Sequence, residues 1–391
     1  MRKGHILSIL IVLVVACVGA IGYNLFKLHE KGVFSPGNGS GVVVIATPPL
    51  DAAEGEYPAA ERAAAKYGSG TIRHITYPAD FAVNQEAAIE AVMQAAEDSR
   101  VRVVVLAPAI AGSVAAIRRV KVRRPDVVFL TGLPEEAQDV VSDAADLALD
   151  FDGPGYGRAI VRAASRMGAS SLVYYSLSRH DDLPVYSERR RAMEEECSAR
   201  GIAFVPVIAV DPMGLDGVVA AQVFLEADVL RQLEGRGSDT AFYTTSCILE
   251  ESLVSTLVSA GGILAGQCCP GPAQGLPGAL GIDLPFETLR DPALTLEAVL
   301  AALEERGAGE RFAIWPGPPG ALIVEALADL AVALARDQVA LADLRDPGVL
   351  QARLLGMNSH WSDSATVTSH ADRPNTYHLT IEGIVARRRD L

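Results

Sequence analysis

Residues 41–77, GVVVIATPPLDAAEGEYPAAERAAAKYGSGTIRHITY, hold the pattern that decides the fold. A valine-rich apolar run (41–46) opens the stretch. After a loop comes EYPAAERAAAKYG, a helix-like segment stopped by Gly68, and then TIRHITY (71–77) reads as another strand. A short apolar run bounded by turn signals is what a strand covered on both faces requires. The unit recurs downstream. Asn84 caps the helical pattern QEAAIEAVMQAAED, VRVVVLA (101–107) is a buried-type strand, and SVAAIRRVKVRR is a helix. DVVFLTG (126–132) is a further strand, and a short helix leads into LALDF (147–151). Strands alternating with helices predict a parallel, doubly wound α/β sheet.

The pattern then begins again. Helices over 155–168, 188–201, about 217–234 and 250–262 alternate with the strands SLVYYS (171–176), IAFVPVIAV (202–210), TAFYTTS (240–246) and ILAGQ (263–267). GALGIDL reads as a short strand before the helix LTLEAVLAALEERG (294–307). A long helix over about 320–336 and a strand-like run, TYHLTIEGIVA (376–386), follow. The expected architecture is two doubly wound parallel-sheet lobes joined by hinge crossings. Lobe 1 spans 41–151, with 313–391 largely returning to it, and lobe 2 spans 152–312. Parallel sheets bind ligands beyond the carboxyl ends of their strands, at the switch point of strand order. Two such lobes face each other across a cleft that closes by hinge motion.

The chain has 391 residues, half of them hydrophobic, enough for a large core. A formal charge of −14 and a pI near 5.0 argue against a nucleic-acid partner, which needs a basic face. No P-loop is present and no GxGxxG follows a strand, so no cofactor is expected. The N-terminus differs from the rest. Arg2 and Lys3 precede the uncharged run ILSILIVLVVACVGAIG (6–22), the pattern of an export signal or of a retained anchor reaching Phe26. VVAC (14–17) resembles a lipobox and makes Cys17 a candidate lipidation site; ordinary cleavage after Ala20 is the third alternative. Residues 27–40, KLHEKGVFSPGNGS, read as a flexible tether. Each alternative exports the body, leaving Arg2 and Lys3 inside.

EYPAAERAAAKYG, ITYPADF, YYSLSRH, ERRRAMEEEC, GQCCPGP and GALGIDL resemble the bacterial family labelled domain of unknown function 3798. The layout as a whole resembles type I periplasmic solute-binding proteins. The resemblance covers most of 41–336 and the final strand, and it is weakest over 337–375. It implies a periplasmic-binding-protein-like fold and capture of a small polar solute between lobes. It further implies delivery to a membrane permease of the ABC type, or else sensing by a membrane-tethered module of the same fold. No catalytic residue is assigned; an enzyme working through His180 is the less favoured alternative.

The candidate ligand contacts are residues at strand ends. In lobe 1 they are Thr47, Tyr57, Tyr77, Phe81, Ser113 and Thr131. The tyrosines and Phe81 offer flat surface to a ring or sugar face, and Ser113 opens a helix whose backbone N–H groups can receive an anion. In lobe 2, SLSRHDD places Arg179 and His180 after a strand, as an anion-binding fork and a hydrogen-bonding or pH-sensitive partner. The alternative is a solvated loop in which Arg179 pairs with Asp181 or Asp182. Ser246, Asp283 and Trp315 complete the set, each weighed against capping or hinge packing. No GxSxG elbow supplies a nucleophile. Cys197, Cys247, Cys268 and Cys269 are disulfide candidates in an exported body, with buried thiols as the alternative. No metal site is expected: Cys268 and Cys269 are adjacent rather than spaced as CxxC, and His360, His370 and His378 do not share a helix face.

Overall fold

The computed structural model describes residues 41–52, 55–268, 271–356 and 364–385. The expectations for the N-terminal segment with Cys17, for Cys269 and for His360 lie outside the described residues. No helix among the described residues is long and apolar enough to cross a membrane.

The first sheet contains β1 (Val42–Thr47), β2 (Ile72–Thr76), β3 (Val101–Leu106), β4 (Val128–Gly132) and β5 (Leu147–Phe151), all parallel in the order 2-1-3-4-5. Side chains alternate across it: Val43 and Ile45 enter one core, Val42, Val44 and Ala46 the other. Helices α1 (Glu56–Tyr67), α2 (Gln85–Ala96), α3 (Ser113–Arg123) and α4 (Gln138–Ala144) make the crossovers. Asn84 caps α2, accepting from the Ala87 N–H at 3.2 Å. The second sheet repeats the scheme with β6 (Ser171–Ser176), β7 (Ala203–Ile208), β8 (Thr240–Thr244) and β9 (Ile263–Leu264) in the order 7-6-8-9. It is served by α5 (Gly153–Arg166), α6 (Pro184–Arg200), α7 (Gly217–Arg236) and α8 (Cys247–Ala260). Each sheet thus reverses direction beside its first strand, where a parallel sheet opens a crevice.

GALGIDL is not a strand. It overlaps α9 (Leu276–Leu280), a short helix with Pro277 in its first turn, ended by Gly281 in the left-handed conformation at φ 60. Helices α10 (Phe286–Leu289) and α11 (Pro292–Glu305) follow, the latter capped by Asp291. A short strand, β10 (Ala313–Ile314), then leads to α12 (Pro319–Ala335), which returns to the first sheet. Nearly every residue of α12 is buried, because it lies between that sheet and α1. Gly132 permits this approach: a Cβ there would meet Ile323 at 2.6 Å. Polar bonds pin the helix edge, from Arg62 to Glu325 at 2.8 Å and from the Tyr67 hydroxyl to Asp329 at 2.6 Å.

The segment 337–375 supplies α13 (Pro347–Gly356) and β11 (Ala365–His370). β11 is antiparallel to β12 (Arg373–Ile381), which joins β5 in parallel. The run read as one strand over 376–386 breaks at Glu382 and Gly383, and β13 (Ile384–Val385) pairs instead with β10. Consequently the chain passes between the two sheets three times: at Phe151–Gly153, between Ile314 and Pro319, and between Ile381 and Ile384.

Candidate functional site

The crossings are tied together by a buried network. Asp152 caps α5 through the Gly155 N–H at 2.7 Å and accepts the Thr380 hydroxyl at 3.0 Å, joining the first crossing to the third. At the second, Trp315 packs at a tilt against Tyr156 and Phe151, with ring centroids 4.1 and 5.6 Å away. Its backbone N–H donates to the Gln267 side chain at 3.0 Å, and its indole N–H to the Gln267 carbonyl at 3.1 Å and to the Tyr156 hydroxyl. Gln267 in turn donates to the buried carboxylate of Glu250 at 2.9 Å, and the Cys268 N–H meets the other oxygen at 2.8 Å. This frame fixes the floor between the lobes.

Beside it lies a cavity of about 790 Å3 walled by both lobes, within the size range of small-molecule sites. Lobe 1 contributes Leu50, Asp51, Pro58 and Arg62, with Pro318 and Ala321 from the start of α12. Lobe 2 contributes Pro272, Gln274, Phe286, Leu289, Arg290 and Pro292. Arg62 reaches across, donating to the Arg290 carbonyl at 3.3 Å. The Arg290 guanidinium lies 5.5 Å from the centre of the Phe286 ring.

None of the residues singled out from sequence lines this cavity. Thr47 is buried, its hydroxyl donating to the Pro48 carbonyl at 2.9 Å and meeting His74 Nε2 at 2.9 Å. Tyr77 offers no open face: its ring is in the lobe 1 core and its hydroxyl donates to the Pro108 carbonyl at 3.1 Å. Phe81 is half-buried 6.1 Å from it, and Tyr57 lies edge-on to His74 at 4.8 Å. Ser113 is buried at the start of α3, and the Thr131 hydroxyl is spent on the Leu147 carbonyl at 3.2 Å. Trp315 is the packed hinge residue. Asp283 is exposed, and Ser246 is the buried cap position of α8.

The Arg-His loop follows β6 and turns as a single 3-10 turn, Ser178–His180. Arg179 pairs with Asp211 at 2.8 Å, not with Asp181 or Asp182. His180 is buried, its Nδ1 2.8 Å from the Thr245 hydroxyl and its ring stacked on Tyr186 at 4.1 Å. Burial first, and then the Arg179 charge, hold its pKa below the ordinary imidazole value. A separate pocket of about 220 Å3 lies here, between β6 and α6, lined by Ser176, His180, Asp181, Tyr186 and Arg190 among others. The Ser176 hydroxyl, 1 % exposed, has no hydrogen-bond partner among the described residues.

Cys197 lies on the buried face of α6, and burial pushes its thiol up to about 12. The Cys247 and Cys268 sulfurs are 3.9 Å apart. His370 and His378 meet across β11 and β12 with ring centroids at 5.8 Å, yet no group of three ligating side chains forms among the described residues. The sequence pattern does not reveal the cavity, because Leu50 and Asp51 sit just beyond the end of β1 and PFETLR (285–290) shows no periodicity. The prolines flanking both segments were the one available signal, since they hold a chain rigid where it borders a cleft.

A family model described as "Protein of unknown function (DUF3798)" matches residues 42–313. The chain belongs to that family. A protein of Treponema pallidum (strain Nichols), described only as uncharacterized, is 31% identical over 214 residues, covering 51% of this chain and 95% of its own. Among solved structures, a protein from Clostridium difficile 630 provisionally assigned as a transcriptional regulator superposes with a TM-score of 0.82 at 20% identity, covering 88% of this chain and 99% of its own. A protein from Actinomyces odontolyticus, described as a sugar ABC transporter, gives 0.50 at 12% identity, covering 77% and 86%. Likeness at such identities establishes the fold alone: an α/β architecture of parallel sheets that resembles periplasmic-binding-protein-like neighbours.

Proposed function

We propose that the protein is an extracytoplasmic solute-binding protein, which captures a small organic molecule between its lobes and delivers it, without chemical turnover, to a membrane permease of the ABC type. The observation that carries this reading is the cavity of about 790 Å3 with walls from both lobes beside three crossings. A ligand that touches both walls stabilises the closed arrangement by its differential affinity. The similarity to a protein described as a sugar ABC transporter supports the transport role by analogy of fold. The basic, then apolar, N-terminus supports export, with attachment to the outer face of the cytoplasmic membrane through lipid on Cys17 or a retained helix.

A thermal-shift screen of sugars, amino acids, nucleosides, organic acids and peptides on the body from residue 37 onward tests the binding role. A true solute raises the melting temperature with concentration and is recovered unchanged. Consumption of the hit would make the protein an enzyme instead. A broad library without a single stabilising compound, on folded protein, refutes capture.

A further inference from the structure

We infer that the guest of the inter-lobe cavity has a flat or branched apolar body and a single carboxylate head, and is not a free sugar; this rests on the solute-binding reading above. Two large apolar side chains stand open in the cavity, Phe286 at 66 % exposure and Leu50 at 43 %. They lie on opposite lobes, backed by Pro58, Leu289 and Pro292. Such walls reward an apolar body; the polar side chains of the lining are Asp51, Gln274 and the two arginines, fewer than the hydroxyls of a sugar need once water is excluded.

The polar groups set the head. Arg62 is held by Glu325 through Nε at 3.2 Å and Nη2 at 2.8 Å, so its fork is already occupied. Arg290 has no carboxylate partner among the described residues; it rests over the Phe286 ring. Its planar guanidinium suits a carboxylate in two-point contact. Asp51, lining the facing lobe, repels further negative charge and so limits the guest to one anionic group.

The experiment is isothermal titration of the full-length chain in lipid nanodiscs, with empty nanodiscs as control, against 3-phenylpropanoate, its uncharged amide and D-ribose. The expected result is one site that prefers the carboxylate to the amide and ignores ribose. Arg290→Gln weakens the carboxylate about tenfold and leaves the amide unchanged, whereas Phe286→Ser weakens both. Arg290 is exposed, so its variant keeps the wild-type melting temperature, and Arg290→Lys recovers part of the preference. Equal binding of carboxylate and amide, a preference that survives Arg290→Gln, or no binding of either overturns the inference. Saturable ribose binding would do so while leaving the solute-binding reading intact; failure of every compound in the broad screen removes that reading as well.

Discussion

Replacing Gln267 by Leu tests whether the crossings are held by the network described. Gln267 is fully buried, and its amide makes three bonds: Nε2 donates to Glu250 at 2.9 Å and to the Gly271 carbonyl at 3.3 Å, and Oε1 accepts from the Trp315 N–H at 3.0 Å. Leucine is close in volume, so the cavity term is small and the change reads polar bonding. A buried N–H left unmatched costs about 1–3 kcal/mol, and a bond to a charged group contributes about 1.5–3 kcal/mol. The sum is about 4 kcal/mol. For a body of this size the unfolding entropy is about 0.7 kcal/mol per kelvin, so the melting temperature falls by about 6 °C. Calorimetry at neutral pH measures it, with Gln267→Asn as the conservative control. A variant melting within about 1 °C of the parent would show that Gln267 does not join Glu250 to Trp315, and the account of a fixed floor between the lobes would fail.

Glu382, at the third crossing, accepts from Arg162 at 2.8 and 2.9 Å and from Arg166 at 2.9 Å. Burial raises its pKa, but the two guanidiniums outweigh this and hold it below the ordinary value. Its stabilisation is therefore present above the unfolded-state pKa and lost as pH falls through the lower folded one. Glu382→Gln should cost about 1 kcal/mol at pH 7, with the gap closing below about pH 4; a gap unchanged at pH 3 in urea titrations refutes the pairing. Ser176→Ala removes a buried hydroxyl that lacks a partner, so stability should hold or rise by up to about 1 kcal/mol, and a clear loss would reveal a bond to that oxygen. With oxidised glutathione, Cys247 and Cys268 should join, their two thiols giving two protons and two electrons to the glutathione disulfide. Peptide mapping after cleavage at Glu250 and Glu251 separates the pair, and a bridge to Cys197 would contradict the geometry.

The alternation of strands and helices was legible because each parallel strand is covered on both faces and each helix buries one. VRVVVLA and the α12 stripe carry that signature within a few residues of chain. Where chain pairing is distant or irregular, the signature fails. GALGIDL looks like a strand by hydrophobicity, but Pro277 and Gly281 turn it into a helix end. TYHLTIEGIVA looks continuous, yet Gly383 sits against Ala313, where a Cβ would come within 3.0 Å of that side chain, and the chain changes partner there. β11 was missed because its outward positions carry threonine, serine and histidine, so it lacks the apolar density of a central strand.

The site was less legible for a physical reason. Parallel sheets open crevices at their strand ends, and those ends are rich in polar side chains. Thr47, Tyr77 and Thr131, however, spend their hydroxyls on neighbouring carbonyls of their own lobe. A hydroxyl that closes a strand end cannot be told from one that meets a solute until its partner is known. The cavity depends on a different quantity, the angle at which one lobe meets the other, which brings Leu50 opposite Phe286 across more than half the chain. Trp315, Gln267 and Asp152 brace the crossings that join the lobes and do not line the cavity. Changes at these hinge positions should therefore alter ligand affinity without altering a single ligand contact, whereas substitutions at Thr47 or Thr131 should change stability and leave affinity alone. A Thr131→Val variant that is less stable but binds normally, beside a Gln267→Leu variant that binds poorly at a temperature where it is still folded, would separate the two roles; the reverse pattern would return the strand-end rim to the centre of the site.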